Sequence, residues 1–306
     1  MADLARARDG RFDPWFNERG LRSGWRFLLW ALLVVVLNVV LSAAVKPLVG
    51  SGETAAFAMM ALASTAAGWI VLAAQRRRIG ALGWALDPAA VRDSGVGFGL
   101  GAVLILLAVA VLAVAGSVRW VAAAGTMAEY AASLARLLAF FAVAAAAEEA
   151  LFRGYGLQAL AEGLGPWPAA VAMSLLFAAA HADNPDFGAV GFANIFLAGV
   201  LLSVLYLRTR SLWLVTAMHL GWNWTMAALH FPVSGLAEAM PAFALVPHGP
   251  AWWTGAGFGP EAGLPATLVL ALGLGWAVRT RALRESPRMR ELQPLVDVRL
   301  GPEWPR

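Results

Sequence analysis

Between residues 27 and 280 the chain returns repeatedly to stretches that carry no charge or almost none, each long enough to cross a bilayer. A hydrocarbon core of roughly 30 Å takes about 20 helical residues, and inside it the backbone must satisfy its own hydrogen bonds, which a helix does. Spans are predicted at about 27–45, 54–74, 94–117, 132–160, 167–182, 188–207, 211–229 and 263–279. The expected fold is therefore all-α: a polytopic integral membrane protein of about eight transmembrane helices. A composition that is 60% hydrophobic and 14% charged excludes an ordinary water-soluble globule. Around the helical membrane domain, 27–280, lie a basic arm, 1–26, and a basic, Pro-containing tail, 281–306. Both are expected to be partly disordered or to lie on the membrane surface.

The cations orient the chain, because loops near the spans keep Lys and Arg on the cytoplasmic side. With the N-terminus inside, every Lys and Arg falls in a cytoplasmic segment except Lys46, Arg119 and Arg136. Both termini are thus predicted to be cytoplasmic. The isoelectric point of about 10.3 then reflects arginine beside anionic lipid headgroups. No nucleic-acid partner is expected, since no aromatic interleaving or binding motif accompanies the charge. The arginine-rich start does not read as a cleavable signal peptide, so the first span is taken as a retained anchor. The chain contains no cysteine, which removes disulfides and thiolate metal sites. The Ala- and Arg-rich composition suggests a bacterial cytoplasmic membrane. Oligomeric state is not encoded in any feature read here.

The fourth span carries "AAAAEEALFRGYG" at 144–156, with Glu148, Glu149 and Arg153 at depth. An ionisable residue within a span costs about 2.5–3.5 kcal/mol on insertion scales and is a functional hypothesis whose partner must be named. Glu149 and Arg153 sit four apart with Glu first, the favourable order for a pair on one helix face. Glu148 points about 100° away and is left without that partner. Two further spans carry polar groups: His181 in "FAAAHADN", sharing a face with Phe177, and His219 in "MHLGWNW", sharing a face with Asn223. A lone buried histidine is more often a satisfied structural residue than a catalyst. Three spans each placing such a group at depth point to one pocket holding Glu148, His181, His219 and Asn223, because polar groups in hydrocarbon seek one another.

These residues fit three ordered patterns: Glu-Glu-x-x-x-Arg in "EEALFR", Phe-x-x-x-His in "FAAAH" and His-x-x-x-Asn in "HLGWN". Together they resemble the CPBP family of intramembrane proteases, which includes type II CAAX prenyl endopeptidases, ABI proteins and bacteriocin-processing or self-immunity proteins. The resemblance is carried by a motif core at about 130–230. It implies an endopeptidase acting on a membrane-associated peptide or protein, with Glu148 activating water and His181, His219 and Asn223 completing the site. Glu149 is the family's second glutamate, and Arg153 and Phe177 take the supporting positions.

Amide hydrolysis suits such a set. A glutamate in a dry pocket needs nearby donors or positive charge to act as a general base, and Asn223 or a histidine can donate to a developing oxyanion. Equally, Glu148, His181 and His219 form a plausible set for a divalent metal such as zinc, with Glu148 or Glu149 as ligand and the other as base. Both a metal-free and a metal-dependent mechanism remain open at this level. No His-Glu-x-x-His or Gly-x-Ser-Gly motif is present, and Asp183 and Asp186 fall in a loop, so other protease types are set aside. The rivals are an inactive immunity or scaffold member of the family and a proton-coupled transporter. Against a transporter stands the lack of matching halves.

Other features take plainer readings. Trp222, Trp224, Trp252 and Trp253 suit packing or interfacial anchoring. Gly95, Gly97, Gly99 and Gly101 predict close helix packing on the third span. Asn184 is expected to order the loop before Pro185 as a turn former. The long segment 230–262, free of Lys and Arg, is expected on the outer side, skimming the interface.

Overall fold

The computed structural model describes residues 13–17, 20–50 and 52–292. Most of the arm and the last residues of the tail, with Arg6, Arg8, Arg11, Arg19, Arg299 and Arg306, lie outside the described residues. A two-stranded ribbon, β1 (Phe16–Asn17) and β2 (Gly20–Leu21), leads into helices α1 (Ser23–Val49) and α2 (Glu53–Ala74). Next comes α3 (Pro88–Val114), started by Asp87, whose side chain accepts from the Ala90 N–H at 3.1 Å, and by Pro88 in the first turn. Strand β3 (Val118–Ala122) precedes α4 (Met127–Phe152). A capping box opens α4: the Thr126 hydroxyl accepts from Glu129 N–H, and the Glu129 carboxylate accepts from Thr126 N–H at 2.7 Å. Helices α5 (Tyr155–Leu164), α6 (Pro166–Ala179), α7 (Ala189–Thr209) and α8 (Leu212–Ala228) follow, then β4 (Phe243–Pro247) and α9 (Leu264–Arg279).

Each predicted span has a helical counterpart, but not all are equal in length. Among the described residues five segments are long and apolar enough to cross a membrane: Ser23–Leu48, Glu53–Ala74, Pro88–Val114, Met127–Leu164 and Ala189–Thr209. Helices α6, α8 and α9, with 14, 17 and 16 residues, reach only about 21–26 Å at 1.5 Å per residue. The run predicted as one helix over 132–160 is divided at Arg153 and Gly154. The Gly154 backbone leaves the helical region at φ −72° and ψ −131°, and a Cβ there would lie 2.3 Å from the Ala150 carbonyl oxygen. The motif arginine therefore sits at the end of α4, where the chain turns.

The bundle's closest helix pair is α3 against α8. A Cβ at Gly97 would stand 2.1 Å from the Leu214 carbonyl oxygen, and one at Gly101 would stand 2.0 Å from that of Met218. Gly221 answers from α8, with 2.3 Å to the Phe98 carbonyl oxygen. Small residues let two backbones approach in this way. Gly95 and Gly99 take no part, having no neighbouring atom within 4 Å of such a Cβ. Helix α8 also packs on α4, while α6 packs on α7, and α7 on α9. The motif helices α4, α6 and α8 are thus brought around one space by two sets of contacts.

Segment 230–262 packs parts of its length against the bundle and leaves others, Leu236 and Trp252 among them, exposed. β4 pairs antiparallel with β3, with Trp120 opposite Leu245, and Phe231, Val233, Phe258 and Ala262 are buried. Turns at Gly235, Gly255 and Gly259, with φ of 82°, 82° and 107°, fold the segment back onto the bundle. The beginning of the tail is also docked. Glu285 lies 3.4 Å from Arg210, the Ser286 hydroxyl donates to Asp87 at 3.2 Å, and Met289 and Leu292 pack with Ala81.

Candidate active site

The end of α4, the last turn of α6 with the turn that follows it, and the middle of α8 bring Glu148, Glu149, Arg153, Phe177, His181 and His219 together. Glu149 is buried on the inner face of α4, and one of its oxygens, Oε1, takes two partners. Arg153 Nη1 donates to it at 3.0 Å, four residues on along the helix, and His219 Nδ1 on α8 lies 2.9 Å away. The Glu149 and Arg153 side chains are fully buried. The second guanidinium end donates to the Gly199 carbonyl of α7 at 3.2 Å, so Arg153 also ties α4 to α7.

Phe177 sits between two cationic or potentially cationic groups. The Arg153 guanidinium carbon is 4.3 Å from its ring centroid, and the His181 ring meets it edge-on at 4.8 Å. Such contacts draw on the ring's negative face and hold both neighbours in place. His181 lies in the turn just after α6, and its Nδ1 lies 2.8 Å from the Phe177 carbonyl. A carbonyl only accepts, so Nδ1 of His181 carries the proton, and the Glu149 carboxylate assigns the same tautomer to His219. Nε2 is then the free ring nitrogen of both histidines.

Glu148 is the carboxylate left open. It is partly exposed where Glu149 is not, and its Oε2 lies 3.9 Å from His219 Nε2, beyond hydrogen-bond distance. That oxygen has no hydrogen-bond partner among the described residues. Asn223 stands one turn beyond His219 on α8, half-buried. Asn184 does order its loop: its N–H meets the His181 carbonyl at 3.1 Å, and its side-chain amide donates to Ser234 O at 2.8 Å.

Imidazoles held through Nδ1, with Nε2 free, have the orientation of metal-binding histidines. The spacing does not match. Among the described residues no group of three His, Cys, Asp or Glu side chains is placed to hold a metal ion. The zinc set of Glu148, His181 and His219 is not closed in this arrangement, and the chemistry below uses the chain's own side chains.

One site-proximal residue has no motif to announce it. Glu261, 3% exposed, reaches in from segment 230–262. Its carboxylate accepts from Trp222 Nε1 at 3.1 Å and from the Ser234 hydroxyl at 2.6 Å. Burial raises its pKa above the usual carboxylate range, opposed by those two donors and by the nearby His181 imidazole. A carboxylate in a segment without Lys or Arg, one of two there with Glu238, was the only signal the sequence offered.

Fold and site together define an integral helical membrane protein with an ionisable centre buried among its helices. The family comparison is more specific. Residues 130–225 match the family of type II CAAX prenyl endopeptidase Rce1-like proteins, in agreement with the three ordered motifs. The matched stretch runs through Glu148, His181, His219 and Asn223 and ends before Glu261. It supports a CAAX-type membrane endopeptidase at the level of the family. No curated protein and no solved structure matches the chain.

Proposed function

We propose that the protein is an intramembrane endopeptidase in which Glu148 activates the water that attacks a peptide bond of a membrane-associated peptide or protein. The observation that carries this reading is the 3.9 Å gap between Glu148 Oε2 and His219 Nε2. That oxygen has no hydrogen-bond partner among the described residues, so Glu148 is the motif carboxylate not already committed to Arg153. Glu149 and Arg153 take no proton in this scheme. They neutralise one another, and Glu149 holds His219 through Nδ1.

In the reaction, Glu148 accepts a proton as the water oxygen bonds to the carbonyl carbon. The oxyanion that forms receives a hydrogen bond from the Asn223 amide, and from His181 when its Nε2 is protonated. Donors of this kind are worth roughly 2.7–4 kcal/mol in well-studied proteases. Collapse of the tetrahedral species breaks the C–N bond, and Glu148 returns its proton to the leaving amine. A new carboxylate and a new amine result.

The site lies in a protein integral to the membrane. We further propose that both termini face the cytoplasm and that the membrane is a bacterial cytoplasmic one, on the strength of the arginine distribution and composition. The test compares new N- and C-termini in membranes of cells expressing wild type or Glu148→Gln at equal abundance. Products present only with wild type are expected. Their absence, with both proteins folded, would refute the peptidase reading and favour an immunity or scaffold role.

A further inference from the structure

We propose that Glu261 is a positioning residue of this site, a latch by which segment 230–262 holds the Asn223 turn of α8 and the His181 loop in register. The proposal rests on the peptidase reading for its consequence in turnover, but its geometry stands independently of that reading.

Four elements meet at this one residue. Through its side chain, Glu261 accepts from Trp222, the neighbour of Asn223 on α8, at 3.1 Å. The other oxygen accepts from Ser234 at 2.6 Å, and the Ser234 carbonyl in turn accepts from Asn184, three residues past His181. Through its main chain, Glu261 accepts from the Asn194 side chain of α7 at 2.8 Å, and Asn194 also bonds Gly263 O at 3.0 Å and Thr267 at 2.7 Å at the start of α9. The ties therefore run from α7 and α9 to both of the residues assigned to the oxyanion.

A carboxylate is a costly choice for so buried a position unless each oxygen is bonded. Here each is, and the His181 imidazole lies within its electrostatic reach. No hydrogen bond joins Glu261 to Glu148 or Glu149, so it acts through Trp222 and Ser234. Misplacement of a reacting group by about 1 Å can cost on the order of 100-fold in rate, which gives such a latch its leverage.

The experiment uses full-length protein in lipid nanodiscs and, as substrate, a peptide identified by the terminus comparison. Wild type, Glu261→Ala, Glu261→Gln, Trp222→Phe, the Glu261→Ala/Trp222→Phe double variant and Glu148→Gln are measured per folded molecule. For Glu261→Ala, kcat is expected to fall about 10- to 100-fold with KM changed less than about threefold. Glu261→Gln, which retains a bonded carbonyl and lets Ser234 turn to accept, should recover most of the rate. The double variant should be no slower than the slower single one, because both break one tie. Wild-type kcat in Glu261→Ala, or losses that multiply, would overturn the latch. Hydrogen exchange read without substrate separates the two ideas. Glu261→Ala should raise exchange of the amides over 219–225, and unchanged exchange there refutes the latch whether or not any peptide is cleaved. Cleavage that survives Glu148→Gln refutes the assignment of Glu148 as the water-activating base instead.

Discussion

Replacing Arg153 with methionine tests the buried centre most directly. The substitution keeps an unbranched apolar stem but removes the guanidinium that donates to Glu149 at 3.0 Å and to Gly199 O at 3.2 Å, and that stacks 4.3 Å from the Phe177 centroid. Glu149 would keep only His219, at 2.9 Å. Its other oxygen, Oε2, already has no partner among the described residues. Removing one member of a fully buried ion pair leaves an uncompensated charge and costs about 3–5 kcal/mol. Neutralising Glu149 at the same time removes the charge that was stranded. Glu149→Gln combined with Arg153→Met should therefore be more stable than the sum of the two single losses, by about 2–3 kcal/mol of coupling. Reversible unfolding in mixed detergent micelles, with all four proteins in one cycle, reads this number. An Arg153→Met loss under about 1 kcal/mol, which is the typical scale of polar contacts between membrane helices, would refute the reasoning. So would coupling below about 0.5 kcal/mol.

Three further outcomes are expected. Gly101→Val should push α3 from α8 and cost about 1–3 kcal/mol by overpacking, while Gly99→Ala, with open space around it, should leave stability unchanged in the same unfolding assay; equal effects would contradict the close pairing. Because the chain has no cysteine, single cysteines at Arg78, Ala124 and Arg281, all exposed, report topology without background. A membrane-impermeant maleimide should label Ala124→Cys in intact cells and the other two only after permeabilisation, and the reverse pattern would invert the orientation. Wild-type membranes should yield cleavage products that Glu148→Gln membranes lack, as read by terminus-selective mass spectrometry.

What could be read before the structure was what local geometry and the cost of burial dictate. Helix spacing alone paired Glu149 with Arg153, and the fully buried 3.0 Å contact is that pair. The same spacing left Glu148 over, and it is the more open of the two carboxylates. The glycines on the third span announced close packing, but only Gly97 and Gly101 have it. A four-residue spacing marks a face, and two such faces, 95/99 and 97/101, were equally available until the partner helix chose one. Helix ends were less legible. The apolar pattern of α4 continues past Arg153, and the turn at Gly154 depends on a backbone approach to Ala150 that no periodicity records.

Least visible of all was Glu261, because nothing about it is local. Its partners are Trp222, 39 residues before it, and Ser234, 27 residues before it, and the contacts that bury it come from turns whose direction glycine permits but does not specify. A motif can be recognised when the residues that act together lie on regular helices at fixed intervals, as Glu148, His219 and Asn223 do. A residue delivered to the same place by an irregular segment leaves only an anomaly, a carboxylate in a stretch with no cation to balance it. In a membrane protein that anomaly is informative, since an unbalanced charge that is not in water must have found its partners elsewhere in the fold. Buried acidic residues in long, cation-free segments are thus worth testing as contacts to a buried site, and Glu261 is the case this chain offers.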